Sequence, residues 1–344
     1  MKKDISRLVR PNILALEPYS TARDEYEGGE IDVWLDANEN PFDNGVNRYP
    51  DPHQLSLKAQ LSQIKGVGAK NIFIGNGSDE AIDLAFRVFA RPGVDNAVSI
   101  APTYGMYKVA AATNDIEVRE VQLGENFELP VEALLAAADQ NTKLMWICSP
   151  NNPTGNLFAE EQVVEIIERF DGIVVVDEAY IDFAQSEGFL PKLAQFDNLI
   201  VLQTLSKAWG MAGLRFGLAF ASEQIIALMN MVKYPYNINV LTQAKVAEML
   251  AKGIDGQVEE IISQRERVIE ELSKIELVER IFATQANFVL IRTSAANDLY
   301  DKLVEGGVIV RNRSKVKGCE NTLRITIGTA AENDRMLKII KEYK

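Results

Sequence analysis

Between about residues 60 and 220, short continuous apolar runs alternate with stretches whose apolar residues recur at helical spacing. Runs such as Ile173–Val176 and Leu199–Leu202 contain only branched aliphatic side chains, with no polar residue between them. A strand that is apolar on both faces is covered on both faces, as in the sheets of α/β proteins. The pattern therefore predicts an α/β fold, in which a large, mostly parallel sheet lies between two layers of helices.

The last hundred or so residues have a different order of elements. One long charged helix and three strands are expected there, at about Gln257–Ile275, Phe288–Ile291, Val308–Val310 and Leu323–Ile327. Because these strands and helices are grouped together, they favour a separate, smaller α+β domain. We therefore predict an N-terminal arm over residues 1–35, a large domain over residues 36–245 and a small C-terminal domain over residues 246–344.

The charge and the scarcity of cysteine and histidine argue against several classes of protein. The 344 residues carry 36 Lys and Arg against 49 Asp and Glu, and the net charge of −13 argues against binding to nucleic acid or to an anionic membrane. The only cysteines are Cys148 and Cys319 and the only histidine is His53, expected at the surface, so neither a disulfide framework nor a metal site is expected. Since there is no signal-peptide core and no apolar run of membrane length, we expect a cytoplasmic protein.

Lys207 comes a few residues after the apolar run Leu199–Leu202, in the segment Thr204–Gly210. Burial disfavours the ammonium form of a lysine and lowers its pKa. A lysine made neutral in this way is a nucleophile that forms Schiff bases with aldehydes. The alternative is a lysine that simply reaches solvent at the end of a strand.

Distinctive residues follow other predicted strands as well, and ligands of open α/β sheets bind beyond the carboxyl ends of the strands. The loop Gly75–Glu80 lies between a strand and a helix, where Gly77 and the helix N-terminus suit a phosphate. Ser78 or Asp79 could instead simply cap that helix. Tyr104 follows the next strand, and it either stacks on a flat ring or packs in the core.

Two further strands end in an amide and a carboxylate. Asn152 lies in the turn Ser149–Gly155, whose prolines and glycine hold the amide in place, either for a ligand or for a local Asx turn. Asp177 follows Ile173–Val176 directly, and a carboxylate there is costly to bury without a cationic partner. A helix cap or a metal ligand is the alternative reading of Asp177.

Together with Thr204, Ser206, Tyr180 and Arg215, these side chains suit one ligand. They offer a lysine for an aldehyde, a carboxylate for a protonated ring nitrogen, an amide and a phenol for a ring hydroxyl, and an aromatic side chain for the ring face. Hydroxyls, glycines and an arginine suit a phosphate. Pyridoxal phosphate (PLP) carries all of these groups, and a lysine Schiff base with an Asp or Arg partner at the ring nitrogen is typical of its enzymes.

The order of these motifs resembles that of the fold-type-I PLP-dependent aminotransferases, nearly from end to end. The segments Asn152–Gly155, Asp177–Tyr180 and Ser206-Lys207 are specific to that superfamily. The segments Asn38–Pro41 and Arg48–Pro50 resemble its histidinol-phosphate aminotransferase branch. The resemblance implies a large, mostly parallel α/β/α domain that binds PLP and a smaller α+β C-terminal domain.

The resemblance also implies roles for individual residues. Lys207 would hold the cofactor aldehyde and act as the catalytic base, with Asp177 and Tyr180 as its catalytic partners. Asp177 would keep the ring nitrogen protonated, while Asn152 and Tyr180 would bond the ring hydroxyl and Tyr104 would stack on the ring. The remaining cofactor contacts, mostly to the phosphate, would come from Gly77, Ser78, Asp79, Thr204, Ser206 and Arg215.

Substrate and partner contacts follow from the same resemblance. Tyr49 resembles a tyrosine that reaches the cofactor phosphate of the neighbouring subunit, which implies a homodimer with shared active sites. Arg324 resembles the arginine that grips the α-carboxylate of glutamate. Histidinol phosphate has no carboxylate, so its phosphate is expected in the same pocket, with Tyr19, Asn38, Arg311 and Arg324 as the substrate-binding residues. A surface charge is the alternative for Arg324 and more so for Arg311, and residues 312–322 match no motif.

The implied reaction moves an amino group between glutamate or 2-oxoglutarate and imidazole-acetol phosphate or histidinol phosphate, as in histidine biosynthesis. Threonine-phosphate decarboxylases and aromatic aminotransferases of the same superfamily remain alternatives. A cofactor-binding sensor of the kind found in some transcriptional regulators is an alternative from a different class. Such regulators carry an appended basic DNA-binding domain, for which this acidic chain has no room.

Overall fold

The computed structural model describes residues 3–21, 25, 26, 28 and 31–343. Its larger sheet has seven strands in the order β1-β7-β6-β5-β4-β2-β3. Their bounds are β1 Ile72–Asn76, β2 Asn96–Ala101, β3 Glu117–Gln122, β4 Thr142–Cys148, β5 Ile173–Asp177, β6 Leu199–Thr204 and β7 Phe216–Ala221. Only β7 runs antiparallel to its neighbours β1 and β6, so the sheet is mostly parallel, as the continuous apolar runs predicted.

The apolar runs are continuous because each strand contributes to two cores. In β5, Ile173 and Val175 pack into one hydrophobic cluster, whereas Val174 and Val176 pack into the other. Successive side chains of a strand point to opposite faces, so both faces of this sheet need apolar residues. Helices cover the two faces; their bounds are α1 Pro11–Leu14, α2 Leu55–Lys65, α3 Ser78–Phe89, α4 Met106–Thr113, α5 Val131–Ala137, α6 Glu160–Arg169, α7 Glu223–Val232 and α8 Val240–Lys252.

A second, antiparallel sheet lies in the C-terminal part of the chain, with the strand order β10-β11-β9-β8. Its elements are α9 Gln257–Ser273, β8 Val278–Ile281, β9 Phe288–Thr293, α10 Ala296–Glu305, β10 Arg311–Asn312, β11 Thr322–Thr326 and α11 Ala330–Glu342. A separate core of buried aliphatic side chains holds these helices against the sheet. The grouping of strands and helices that the sequence predicted is therefore present, while the domain boundaries after residues 35 and 245 remain a prediction.

The predicted strand at Val308–Val310 is wrong by a few residues. The backbone turns at Gly307, which has a φ of 73°, and Val308 N–H donates to the Leu303 carbonyl instead of to a neighbouring strand. Pairing begins only at Arg311, opposite Arg324 of β11. The apolar run Val308–Val310 thus connects α10 to the strand, and the strand itself carries polar residues.

The first residues of the predicted arm are anchored to the large sheet domain. Ile5, Val9 and Ile13 are buried in the cluster that also contains α3, and Arg10 N–H donates to the Val88 carbonyl at 3.0 Å. Further on, the side chain of Tyr19 is 71% exposed. Within the described parts of the chain, no helix combines the length and the apolar character needed to cross a membrane.

Candidate active site

The carboxyl ends of β1 to β6 and the start of β7 lie at one edge of the large sheet. A cavity of about 560 Å³ lies there, closed on one side by the small sheet. Thirteen of the residues predicted to bind cofactor or substrate line it: Gly77, Ser78, Asp79, Tyr104, Asn152, Asp177, Tyr180, Thr204, Ser206, Lys207, Arg215, Arg311 and Arg324. The roles of these residues stay predictions, but the structure brings their side chains together.

One end of the cavity has the features of an anion site. Gly77 forms the N-cap of α3 with a φ of 77°, so Ser78 and Asp79 lie in the first turn and do not cap the helix. A Cβ on Gly217 would lie 2.0 Å from Ser78 N, so only glycine lets β7 approach the helix this closely. The N-terminal amides of α3 and the guanidinium of Arg215 line this end, which suits a phosphate.

Hydroxyls complete this anion site. Thr204 Oγ1 donates to Ser206 Oγ at 3.0 Å and accepts from Ser206 N–H at 3.1 Å, which fixes both hydroxyls at the end of β6. Asp79 Oδ2 lies 3.4 Å from Arg215 Nη2, and Tyr104 OH donates to Asp79 Oδ1 at 3.1 Å. Asp79 therefore positions the arginine and the aromatic ring.

Asp177, at the end of β5, is the buried carboxylate of the cavity. Burial raises the pKa of Asp177 above its ordinary value, while its hydrogen bonds oppose that shift. Oδ2 accepts from Tyr107 OH at 2.6 Å and Oδ1 accepts from Ala179 N–H at 3.0 Å. Asp177 forms no ion pair with any described residue, so a cationic group of a ligand could pair with its carboxylate.

Tyr107 is a residue of this site that the sequence did not predict. It is fully buried in α4, and its ring stacks on Trp146 with the centroids 4.8 Å apart. Its hydroxyl fixes one oxygen of Asp177. Tyr107 follows Tyr104 by three positions, but nothing in the sequence indicates that its phenol contacts Asp177 of β5.

Lys207 reaches into the cavity from the loop after β6. The Lys207 side chain is exposed to the open space of the cavity. The protein atoms that surround this space still partly desolvate the amine, and this burial lowers the pKa of Lys207. The positive charges of Arg324 and Arg215 lower this pKa further, and Asp177 and Asp79 oppose the shift. The Nζ atom lies 5.8 Å from the centroid of the Tyr180 ring. The amine is thus more easily deprotonated than an ordinary surface lysine.

Asn152 and Arg324 connect the two sheets. The local turn is fixed by Asn151, whose amide donates to Pro102 O and to Thr154 Oγ1. The Asn152 side chain is consequently not used in the turn, and its Oδ1 accepts from Arg324 Nη1. Arg324 also lies over the Phe288 ring at 5.1 Å, which holds it at the cavity wall.

Three of the predicted residues do not line this cavity. Tyr19 is an exposed side chain, and Asn38 and Tyr49 line a separate cavity of about 620 Å³. Tyr49 stacks on Tyr236 there, with the ring centroids 4.4 Å apart. Within this one chain, therefore, these residues are not brought to Lys207. His53 is exposed, as the sequence predicted.

Arg313 is a further cavity residue that was not predicted, since it lies in the unassigned stretch 312–322. The sequence offered only a weak signal, namely a second arginine two positions after Arg311.

As for metals, no three His, Cys, Asp or Glu side chains of the described residues are grouped so that they could hold an ion. The alternative interpretation of Asp177 as a metal ligand therefore has no set of co-ligands among the described residues.

A family model described as aminotransferase class I and II matches residues 22–340 of the chain. The chain belongs to this family. The histidinol-phosphate aminotransferase of Parabacteroides distasonis is 52% identical over 344 residues, which span 99% of this chain and 99% of that protein.

Solved structures of histidinol-phosphate aminotransferases are similar in fold to this chain. The histidinol-phosphate aminotransferase of Clostridium acetobutylicum has a TM-score of 0.79 at 26% identity and covers 86% of this chain and 90% of its own. That of Sinorhizobium meliloti, in complex with pyridoxal-5'-phosphate, has a TM-score of 0.78 at 24% identity over 86% of this chain and 82% of its own. The latter likeness shows the fold alone. The predicted fold-type-I class, with a large α/β domain and a smaller sheet, is thereby confirmed.

Proposed function

We propose that this chain is a cytoplasmic histidinol-phosphate aminotransferase of histidine biosynthesis that uses PLP as its cofactor. It moves an amino group between glutamate or 2-oxoglutarate and imidazole-acetol phosphate or histidinol phosphate. The observation that carries the proposal is the single cavity that joins Lys207, Asp177 and an anion site to arginines of the small sheet. The high identity with a full-length histidinol-phosphate aminotransferase supports the same assignment.

The side chains of the cavity fit PLP. A phosphate would lie at the N-terminus of α3 with the hydroxyls of Ser78, Thr204 and Ser206. Asp177 has no ionic partner among the described residues, and a protonated ring nitrogen would supply one. When bound, PLP supplies an electron sink that stabilises the negative charge left on a substrate after loss of its α-proton.

In the proposed mechanism, side chains of the cavity transfer one proton and bind the substrate in the position that this transfer requires. Lys207, as a neutral amine, would take the α-proton of the amino substrate on its Nζ atom and would then donate the same proton again to complete the transfer of the amino group. Its lowered pKa keeps a larger fraction of the amine neutral at a given pH. Arg324, fixed by Asn152, binds the α-carboxylate of glutamate with its guanidinium.

A screen of amino donors and acceptors on the purified enzyme tests the proposal. We expect glutamate to bleach the visible band of the bound cofactor and imidazole-acetol phosphate to restore it. Phenylpyruvate as the better acceptor would instead support an aromatic aminotransferase. Release of carbon dioxide from threonine phosphate without a 2-oxo acid would support the decarboxylase.

We further propose that the enzyme is a homodimer with shared active sites and that Tyr49 serves the cofactor of the partner subunit. Large apolar side chains are unusually exposed for a monomer in the segment that precedes Tyr49, including Leu35 and Phe42, and in the cavity that Tyr49 lines, including Leu241. The Glu39 carboxylate accepts from Tyr49 N–H and pairs with Arg48, which keeps this exposed segment ordered. Sedimentation equilibrium should give twice the 38.2 kDa mass of one chain; a monomer at assay concentration would contradict the shared site.

A further inference from the structure

The pairing of β10 with β11 places three arginines on one face of a short ribbon. Arg311 lies opposite Arg324, and directly opposed residues of two strands share a face. Arg313 is two positions after Arg311, and its N–H donates to the Thr322 carbonyl at 2.9 Å, so the pairing continues past it. Residues two apart on a strand also share a face. All three arginines line the cavity described above.

These cations raise each other's energy. Burial lowers the pKa of Arg313, and the positive charges of Arg324 and Arg311 lower it further. Burial also lowers the pKa of Arg324, to which Arg311 adds. Among the described residues, no carboxylate forms an ion pair with any of the three.

The two carboxylates of the cavity are engaged elsewhere. Asp79 lies beside Arg215, and Asp177 accepts hydrogen bonds from Tyr107 OH and Ala179 N–H. The Nε atoms of Arg313 and Arg324 are buried without a hydrogen-bond partner in the described structure. Like charges directly opposite on a ribbon are destabilising, and so are buried unpaired donors. The arrangement is therefore suited to an anion that brings more than one negative charge.

The two substrates of the proposed reaction differ in this respect. A carboxylate carries one charge and two acceptor oxygens, whereas a phosphate monoester carries close to two charges and three acceptor oxygens. Arg324, held by Asn152, suffices for a carboxylate. We propose that Arg313 is a specificity-determining residue that binds the phosphate of the phosphorylated amine and is not needed for glutamate. This inference rests on the proposed function of the cavity.

Steady-state kinetics of Arg313→Gln with the holoenzyme test the inference. We expect the KM for histidinol phosphate to rise roughly 10- to 100-fold, which is the loss of a charge-assisted hydrogen bond. The KM for glutamate and the kcat should change little. Inhibition of the glutamate half-reaction by inorganic phosphate should weaken in parallel. Arg313→Lys, which keeps the charge but loses the two-pronged geometry, should restore part of the affinity for both phosphate compounds.

Arg292→Gln is the matched control. Arg292 lies in the same sheet, opposite Thr322, but it packs over the Phe282 ring outside the cavity. It should leave both KM values unchanged. Equal losses for histidinol phosphate and glutamate in Arg313→Gln, or no loss for either, would overturn the assignment. Should wild-type enzyme fail to use histidinol phosphate, the proposed function falls, and phosphate inhibition in Arg313→Gln then decides whether Arg313 binds the anion.

Discussion

Replacing Lys207 with alanine is expected to abolish multiple-turnover transamination, with a loss of at least about 10⁴-fold in kcat. The amine has two tasks in the proposed mechanism, since it attaches the cofactor covalently and carries the α-proton. Among the residues that the structure describes, no other lysine lines the cavity. The anion site at the N-terminus of α3 is unchanged in the variant, so the cofactor should still bind, but reversibly.

Reduction with borohydride followed by denaturation and mass spectrometry separates the two tasks. Wild-type protein should retain the mass of the cofactor on the peptide that contains Lys207, and Lys207→Ala should retain none. Lys70→Ala, which changes an exposed lysine far from the cavity, is the control and should behave as wild type. Normal turnover by Lys207→Ala would show that this lysine is not the catalytic group.

Replacing Asp177 with asparagine is expected to lower kcat by about 10²- to 10⁴-fold. Removing one partner of a buried ion pair costs about 3–5 kcal/mol, and each 1.36 kcal/mol corresponds to about tenfold in rate. The change keeps the shape of the side chain and removes only the charge that would hold a proton on the cofactor ring. Single-turnover bleaching of the cofactor band by glutamate measures the effect on the chemical step.

The same substitution should have the opposite effect on the protein without cofactor. Burial raises the pKa of Asp177, so the fold holds its ionised form at a cost. That cost is absent below the unfolded pKa, where the group is protonated in both states, and it appears as the pH rises through the folded pKa. We therefore expect apo Asp177→Asn to be at least as stable as wild-type apoprotein at neutral pH, by urea unfolding.

Tyr107→Phe is the matched control for this prediction, because it leaves the carboxylate and removes one hydrogen bond to it. A hydrogen bond to a charged group contributes about 1.5–3 kcal/mol, so the rate should fall by no more than roughly 10- to 100-fold. If Asp177→Asn were no slower than Tyr107→Phe, the charge of Asp177 would not matter to the reaction. A large loss of stability in apo Asp177→Asn would mean instead that the carboxylate is structural.

The strands of the large sheet could be predicted because their signal is local. Ile173–Val176 and Leu199–Leu202 each fill both cores of the sheet, so composition alone marks them as covered on two faces. Residues that follow such strands must lie at one edge when the strands are parallel. For that reason Asp177, Asn152 and Lys207 could be assigned to one site without knowing any distance.

Arg313, Tyr107 and the exact start of β10 could not be predicted in this way. Arg313 lies on the same face as Arg311 and Arg324 only because β10 pairs with β11 in one register. The loop that connects these two strands contains no helix or strand whose pattern could have predicted that register. Tyr107 bonds Asp177 only because α4 packs against the sheet at one rotation. The amino-acid order alone thus determined the layer architecture and the chemical groups of the site, since apolar periodicity and strand ends are properties of short segments. Which side chains face each other across the cavity was decided only by the tertiary structure, because strand register and helix packing depend on contacts between residues far apart in the chain.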